Sequence, residues 1–182
     1  TGTQHLLKIL LEDAVSIYLR DLDHENTRRS RAGKKTLHEE YNLDDVLATL
    51  RLCQGLDYEQ PQIILEHLTL TFHDAGHILG SSIVELQIRD DADEKTLVFS
   101  GDLGNPDASL MRPLSYVDKA DVVLMESLYG DRDHRCFSDT LDEFRVILKQ
   151  AELDGGNILI PAFAVGRTQE LLFHLGQLYH EG

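Results

Sequence analysis

The feature that most limits how this chain can fold is a series of short stretches between residues 56 and 100 in which apolar side chains recur against polar ones: L-D-Y, Q-I-I-L, L-T-L-T-F, S-I-V-E-L-Q-I and T-L-V-F-S. Such runs are predicted to be β-strands, with the polar D-D-A-D-E-K at 90–95 as a hairpin turn. Helical periods flank them. Residues 3–20 carry Leu6, Leu7, Leu10, Leu11, Ala14, Val15, Tyr18 and Leu19 at helical spacing behind Thr3 as N-cap, which predicts a packed amphipathic helix. Asn42 is placed to cap a second helix, in which Val46, Leu47 and Leu50 share a face and Asp44 and Asp45 suit the positive end. Downstream, D-V-V-L-M-E reads as a buried strand, 138–152 as a helix, N-I-L-I-P as another strand and 167–180 as a final helix. The pattern is that of an α/β protein without internal repeats.

Composition narrows the setting. At 182 residues and 42% hydrophobic content the chain can bury a core, as one domain or two small ones. No apolar run approaches the roughly 20 residues that span a bilayer, and a signal peptide is not evident, so the expectation is a cytoplasmic protein with no membrane partner. Cys53 and Cys136 lie far apart without Cys-x-x-Cys spacing, which argues against a disulfide framework or a thiolate zinc cluster. A net charge of −15 opposes indiscriminate nucleic-acid binding unless a local basic surface or bound cations reverse it. One basic stretch exists: T-R-R-S-R-A-G-K-K, residues 27–35, holds five of the 17 basic residues and is read as a solvated, mobile loop.

The stretch F-H-D-A-G-H-I-L-G-S-S, residues 72–82, admits a metal-binding loop, a helical zinc-protease motif or a polar turn. The protease motif requires Glu directly after the first histidine, and position 74 is Asp. The alternation before it demands a strand, so the segment is a strand running into a loop punctuated by Gly76 and Gly80. Such a loop can turn His77 into a cleft, with Ser81 capping the next element, although a histidine there, taken alone, is more often a structural hydrogen-bonder than a ligand. In T-L-V-F-S-G-D-L-G a strand ends and Asp102 follows at once, flanked by Gly101 and Gly104; alone it would be a turn-forming residue. D-V-V-L-M-E-S-L-Y-G-D-R places Glu126 at another strand end, followed by Ser127 and Tyr129. His, Asp and Glu at three strand ends form a donor set suited to zinc or manganese. Finally, in I-L-I-P-A-F-A-V-G-R-T-Q-E-L a strand leads into a helix whose free amides near Gly166 to Thr168 could hold an anion with Arg167 in reach; loop geometry and a local ion pair are the alternative.

Taken in order, A-G-H-I-L-G-S, S-G-D-L-G, E-S-L-Y-G-D-R-x-H and I-P-A-F-A-V-G-R-T-Q-E-L resemble the metallo-β-lactamase-fold nucleases of the β-CASP family, which include the endonuclease subunit of messenger-RNA 3′-end processing and bacterial and archaeal ribonucleases. H-E-E-Y-N-L-D-D-V resembles the linker before the family's third motif, so the likeness covers nearly the whole chain. Leu128 stands where the family usually has Thr, and the acidic surface is unusual for an RNA enzyme. The resemblance implies part of an αββα sandwich over 1–135 and the start of an inserted β-CASP domain over 136–182. It implies that His77 binds one metal and Asp102 bridges two, zinc with manganese as the alternative. Glu126 would orient a later histidine that donates a proton. His134 joins the catalytic set or takes a structural or substrate-side role, and Ser127, Tyr129, Gly166 and Arg167 lie on the substrate side. The implied activity is hydrolysis of RNA, with DNA or a non-catalytic scaffold role in an RNA-processing complex as alternatives.

The family's main metal motif, His-x-His-x-Asp-His, does not occur among the chain's nine histidines. The expectation is therefore a piece of a longer enzyme that by itself holds metal weakly and cleaves nothing. Strands without their sheet partners would favour self-association.

Overall fold

A computed structural model describes residues 2–90 and 93–181. The chain divides into two compact units, Thr1–Asp57 and Tyr58–Gly182.

The first unit is helical: α1 runs over Gly2–Arg31 and α2 over Leu43–Leu52. α1 extends well past the expected 20, because D-L-D-H-E-N-T-R-R-S-R contains no proline or glycine to stop it. Residues 27–31 therefore belong to its last turn, which corrects the reading of 27–35 as a loop. Its packing is also looser than expected, with Val15 buried but Leu10 and Ala14 of the expected face exposed. α2 begins where the sequence places it. Asn42 Oδ1 accepts from the amides of Asp44 and Asp45 at 2.8 and 3.3 Å, while Asp45 Oδ2 accepts from the Asn42 amide at 3.0 Å. This capping box satisfies helix-end donors that would otherwise have no partner, and an Ala at the cap costs about 1 kcal/mol. Tyr18 and Tyr41 stack with ring centroids 4.5 Å apart.

The second unit is built on a five-stranded sheet in the order β1 (Gln62–Leu65), β2 (Leu68–Asp74), β3 (Ser82–Asp90), β4 (Asp93–Phe99), β5 (Val122–Leu124). The first four are antiparallel neighbours, and β5 lies parallel to β4. β2 and β3 pair from Leu68↔Ile88 to Asp74↔Ser82, so both loops at that end start in register. The core is small: Ala75, Ile83 and Val98, with Leu103 and Val117 against it. Two helices follow, α3 (Phe137–Asp154), closed by Gly155 in the left-handed region, and α4 (Arg167–Glu181). Arg145 ties α3 to α4 through Glu181 at 2.6 Å.

Several expectations are corrected. L-D-Y forms no strand; Tyr58 and Glu59 make a turn, with Glu59 at φ 57°. D-V-V-L-M-E gives only the three-residue β5, paired with β4 and exposed rather than buried: Val122, Val123, Leu124 and Met125 are 48–67% accessible. N-I-L-I-P forms no strand, and Leu159 is 95% exposed, since no neighbouring strand is offered to it among the described residues. Of the D-D-A-D-E-K segment, Asp90 and Asp93 pair within the β3–β4 ladder, Glu94 and Lys95 continue β4, and Asp91 and Ala92 lie outside the described residues. Among the described residues no helix is long and apolar enough to cross a membrane.

Candidate metal-binding site

Two loops are locked together at the end of the sheet where β2 and β4 finish. Asp74 Oδ1 accepts from the Gly76 amide at 2.9 Å and the Asp74 carbonyl from the Ser115 amide at 2.8 Å. The Gly104 amide donates to the Ala75 carbonyl at 2.8 Å. Gly76 sits at φ 66°, and a Cβ there would lie 2.7 Å from the Arg112 carbonyl oxygen. A Cβ on Gly104 would strike the carbonyl group of Gly76, with the His77 amide at 2.7 Å. These glycines are what allows two main chains to touch, and both obstructions are backbone that cannot rotate away. Ser81 works backward rather than forward: its Oγ accepts from the amides of His77 and Ile78 at 3.1 and 3.2 Å, instead of capping the strand after it.

The product of this lock is the approach of His77 to Asp102. His77 Nε2 lies 3.9 Å from Asp102 Oδ2, with the side chains 42% and 80% exposed. An ion with bonds of about 2.0–2.2 Å to imidazole nitrogen and carboxylate oxygen can touch both only if they are separated by less than roughly 4.3 Å. The pair meets that test, and its donor types suit zinc or manganese. Among the described residues no group of three or more His, Cys, Asp or Glu is placed to hold a metal ion.

Glu126 joins this rim. The Ser100 amide donates to the Leu124 carbonyl at 2.9 Å, and Ser100 Oγ accepts from the Glu126 amide at 3.0 Å, which fixes the exit of β5 against that of β4. The Glu126 carboxylate accepts from the Leu128 amide at 3.1 Å and the Leu103 amide at 3.1 Å. These two bonds hold its pKa below the ordinary glutamate value, Leu128 contributing most, and His77 adds in the same direction. Leu103 directly follows Asp102, so one carboxylate is tied to the loop that presents the other.

The remaining candidates are placed as follows. The Ser127 carbonyl accepts from the Gly130 amide at 3.0 Å, closing a turn. Tyr129 and His134 pack ring on ring, centroids 3.9 Å apart, and the Arg132 guanidinium lies 5.3 Å from the Tyr129 ring centre. Among the described residues no hydrogen bond or ion pair joins His134 to His77, Asp102 or Glu126. Gly166, at φ 88°, backs onto the His77 loop: a Cβ there would lie 2.7 Å from Ile78 Cγ2. Its amide, expected from sequence to be free for an anion, instead donates to Gln169 Oε1 at 2.7 Å, and Arg167 pairs with Glu170 at 3.2 Å.

Two features were not foreseen. His73 is 8% exposed, with Nδ1 2.7 Å from Glu59 Oε2 and Nε2 2.8 Å from Glu85 Oε2. Carboxylates only accept, so both contacts are hydrogen bonds when the ring carries both protons. Strand alternation places His73 and Glu85 on one face, but nothing local marks Glu59 as a partner. His174, also 8% exposed, lies 3.0 Å from Ser109 Oγ through Nε2 and packs against Phe137, joining α4 to the loop after Asp102.

No family model matches the chain. Over 132 residues, 72% of the chain, it is 42% identical to Ribonuclease TTHA0252 of Thermus thermophilus, of which it covers 30%. Over 183 aligned positions, 99% of the chain, it is 34% identical to Transcription termination factor FttA of Thermococcus kodakarensis, of which it covers 26%. Over 150 residues, 80% of the chain, it is 30% identical to an RNase J-like protein of Methanocaldococcus jannaschii, of which it covers 34%. The chain thus spans about a third or less of the length of these relatives.

Proposed function

The chain belongs to the β-CASP family of metallo-β-lactamase-fold proteins, and we propose that it is part of a metal-dependent phosphodiesterase that cleaves RNA. The observation that carries this reading is the His77–Asp102 separation of 3.9 Å in two interlocked loops, with the ionised Glu126 bound to the second of them. The names of its relatives support RNA as the polymer. In this reading residues 1–135 are metallo-β-lactamase domain and 136–182 begin the β-CASP domain.

Metal ions at this rim would supply an acidified water and clamp the phosphoryl oxygens, zinc being our first assignment and manganese the second. His77 and Asp102 hold the donor atoms at a fixed spacing because their backbones are pinned by Gly76 and Gly104. Asp102 leaves most of its carboxylate open, as a bridging role between two ions needs. Glu126 stays charged through its two amide bonds, so it can accept a hydrogen bond from an imidazole and keep that ring oriented to protonate a leaving oxygen. Cations at the rim also offset the chain's net charge of −15 at the one place where phosphate must approach. Ser127, Tyr129 and Arg167 are assigned to the substrate side.

Zinc titration of this chain by calorimetry tests the reading. Weak, saturable uptake is expected, reduced about tenfold or more in Asp102→Asn and His77→Ala; uptake equal to that of the unaltered chain would overturn it. Cleavage of labelled RNA by the chain in its full natural length, lost in Asp102→Asn, is the second measurement. The exposed apolar residues of β5 further predict self-association, which light scattering would refute by showing a monomer across micromolar concentrations.

A further inference from the structure

The segment T-R-R-S-R-A-G-K-K carries five cations and no acid in a chain of net charge −15. Helix electrostatics explains part of it, because Arg28, Arg29 and Arg31 lie in the last turn of α1, where the terminal carbonyls favour cations. Lys34 and Lys35 lie beyond that turn. The segment is also fastened. Asn26 holds both backbone groups of Leu37, its Nδ2 donating to the carbonyl at 2.9 Å and its Oδ1 accepting from the amide at 2.7 Å. The Lys34 amide donates to the Arg29 carbonyl at 2.9 Å, and Arg29 Nε donates to the Lys35 carbonyl at 2.7 Å. Gly33, at φ 66°, makes the reversal between them.

Arg29 is therefore occupied in holding the turn, while Arg28, Arg31, Lys34 and Lys35 are all exposed on it. Arg28 has Glu25 at 3.6 Å, a pair that water screens. Among the described residues Arg31, Lys34 and Lys35 form no ion pair. Fixing like charges on one short ordered turn is repulsive, and nothing in the packing of the helical unit uses them. An anionic partner with repeated charges offsets that repulsion. The turn offers a bilayer nothing to bury, since Ala32 is the sole apolar residue between 27 and 36, and a basic patch without an apolar anchor gives marginal membrane binding.

We propose that this turn, residues 28–35, is a docking surface for the phosphate backbone of RNA, contributing affinity without reading sequence; the identity of the polyanion rests on the RNA-cleaving reading above. Each phosphate neutralised releases counterions, so single-strand affinity depends on salt with a log–log slope of about −0.7 per contact. Four contacts on the turn then account for roughly 2.8 of that slope.

The test is fluorescence anisotropy of a short unstructured RNA with the whole chain, across about 50 to 200 mM salt. Replacing Arg28, Arg31, Lys34 and Lys35 by Gln together is expected to weaken binding by about 10- to 100-fold at low salt and to flatten the slope. Lys34→Gln with Lys35→Gln, outside the helix and without side-chain bonds in the turn, should remove about half of that slope change. Circular dichroism checks that both variants remain helical, and the second stands if the first does not. Unchanged affinity and slope in a folded variant overturns the proposal, as does no RNA binding by the unaltered chain. Tighter binding to phosphatidylserine vesicles or to polyglutamate than to RNA also overturns it, in favour of a membrane or an acidic protein. Failure of the RNA-cleaving reading looks different: metal uptake would then be indifferent to His77 and Asp102 while the turn still bound RNA.

Discussion

His73 and His77 stand in one motif, one at the end of a strand and one in the loop after it, and the chain uses them in opposite ways. His73 is buried with a carboxylate on each ring nitrogen, Glu59 at 2.7 Å and Glu85 at 2.8 Å. His77 is 42% exposed, and its nearest carboxylate stands off at 3.9 Å. A ring whose two nitrogens are both engaged has nothing left for a metal; a ring held only through its backbone has. The difference teaches where order comes from at this rim. It is supplied by main chain and glycine beneath His77, not by bonds to its imidazole.

That contrast can be broken most severely at Gly104. Gly104→Ala places a Cβ against the Gly76 carbonyl, so the loops of His77 and Asp102 must part; a loss of about 3 kcal/mol or more is expected in urea unfolding, together with loss of zinc uptake. His73→Ala comes next. It removes the ring that bridges Glu59 and Glu85, and because Glu59 is about half exposed the expected cost is about 1–3 kcal/mol, the range for lost buried hydrogen bonds. The same scan should show the His77→Ala variant within about 0.5 kcal/mol of the unaltered chain. Equal losses for the two histidines would erase the distinction.

Acid sharpens the comparison at Glu126. Its pKa is depressed in the folded chain, so its contribution to stability is present above the ordinary glutamate range and is lost as pH falls through the lower folded value. Asp121, held down chiefly by the Thr96 amide and also by Lys95, acts with the same sign. Glu126→Gln should therefore lower the neutral plateau of the urea midpoint and flatten its fall on acidification, the two chains converging at low pH. A full acid limb in that variant would mean that the Leu103 and Leu128 bonds do not select the charged form.

Much of this architecture was legible in local pattern. β1 to β4, both late helices and the Asn42 cap are set by near neighbours, through alternation, helical period and a side chain that reaches its own helix end. The misreadings share a cause. L-D-Y, N-I-L-I-P and the outer part of D-V-V-L-M-E have strand composition, but a strand exists only where another strand offers its amides and carbonyls, and composition does not say who the neighbour is. The basic stretch misled because arginine continues a helix well, so charge was taken for looseness. At the site, Gly76, His77, Asp102 and Gly104 stand out in sequence, whereas the clamp on His73 and the amides serving Glu126 become visible only once distant segments meet.

The sequence by itself determined β1 to β4, the Asn42 cap, the two late helices, the family and which residues carry donor atoms, since each depends on residue type within a few positions or on motif order. Only tertiary structure decided that His77 and Asp102 face each other, that Glu126 is bound to the loop that carries Asp102 and that four cations share one fastened turn. The approach of the His77 and Asp102 loops follows from backbone contacts between distant segments, where the missing Cβ of Gly76 and Gly104 sets the spacing, while the side chains of Glu126, Asn26 and Arg29 make the other two arrangements.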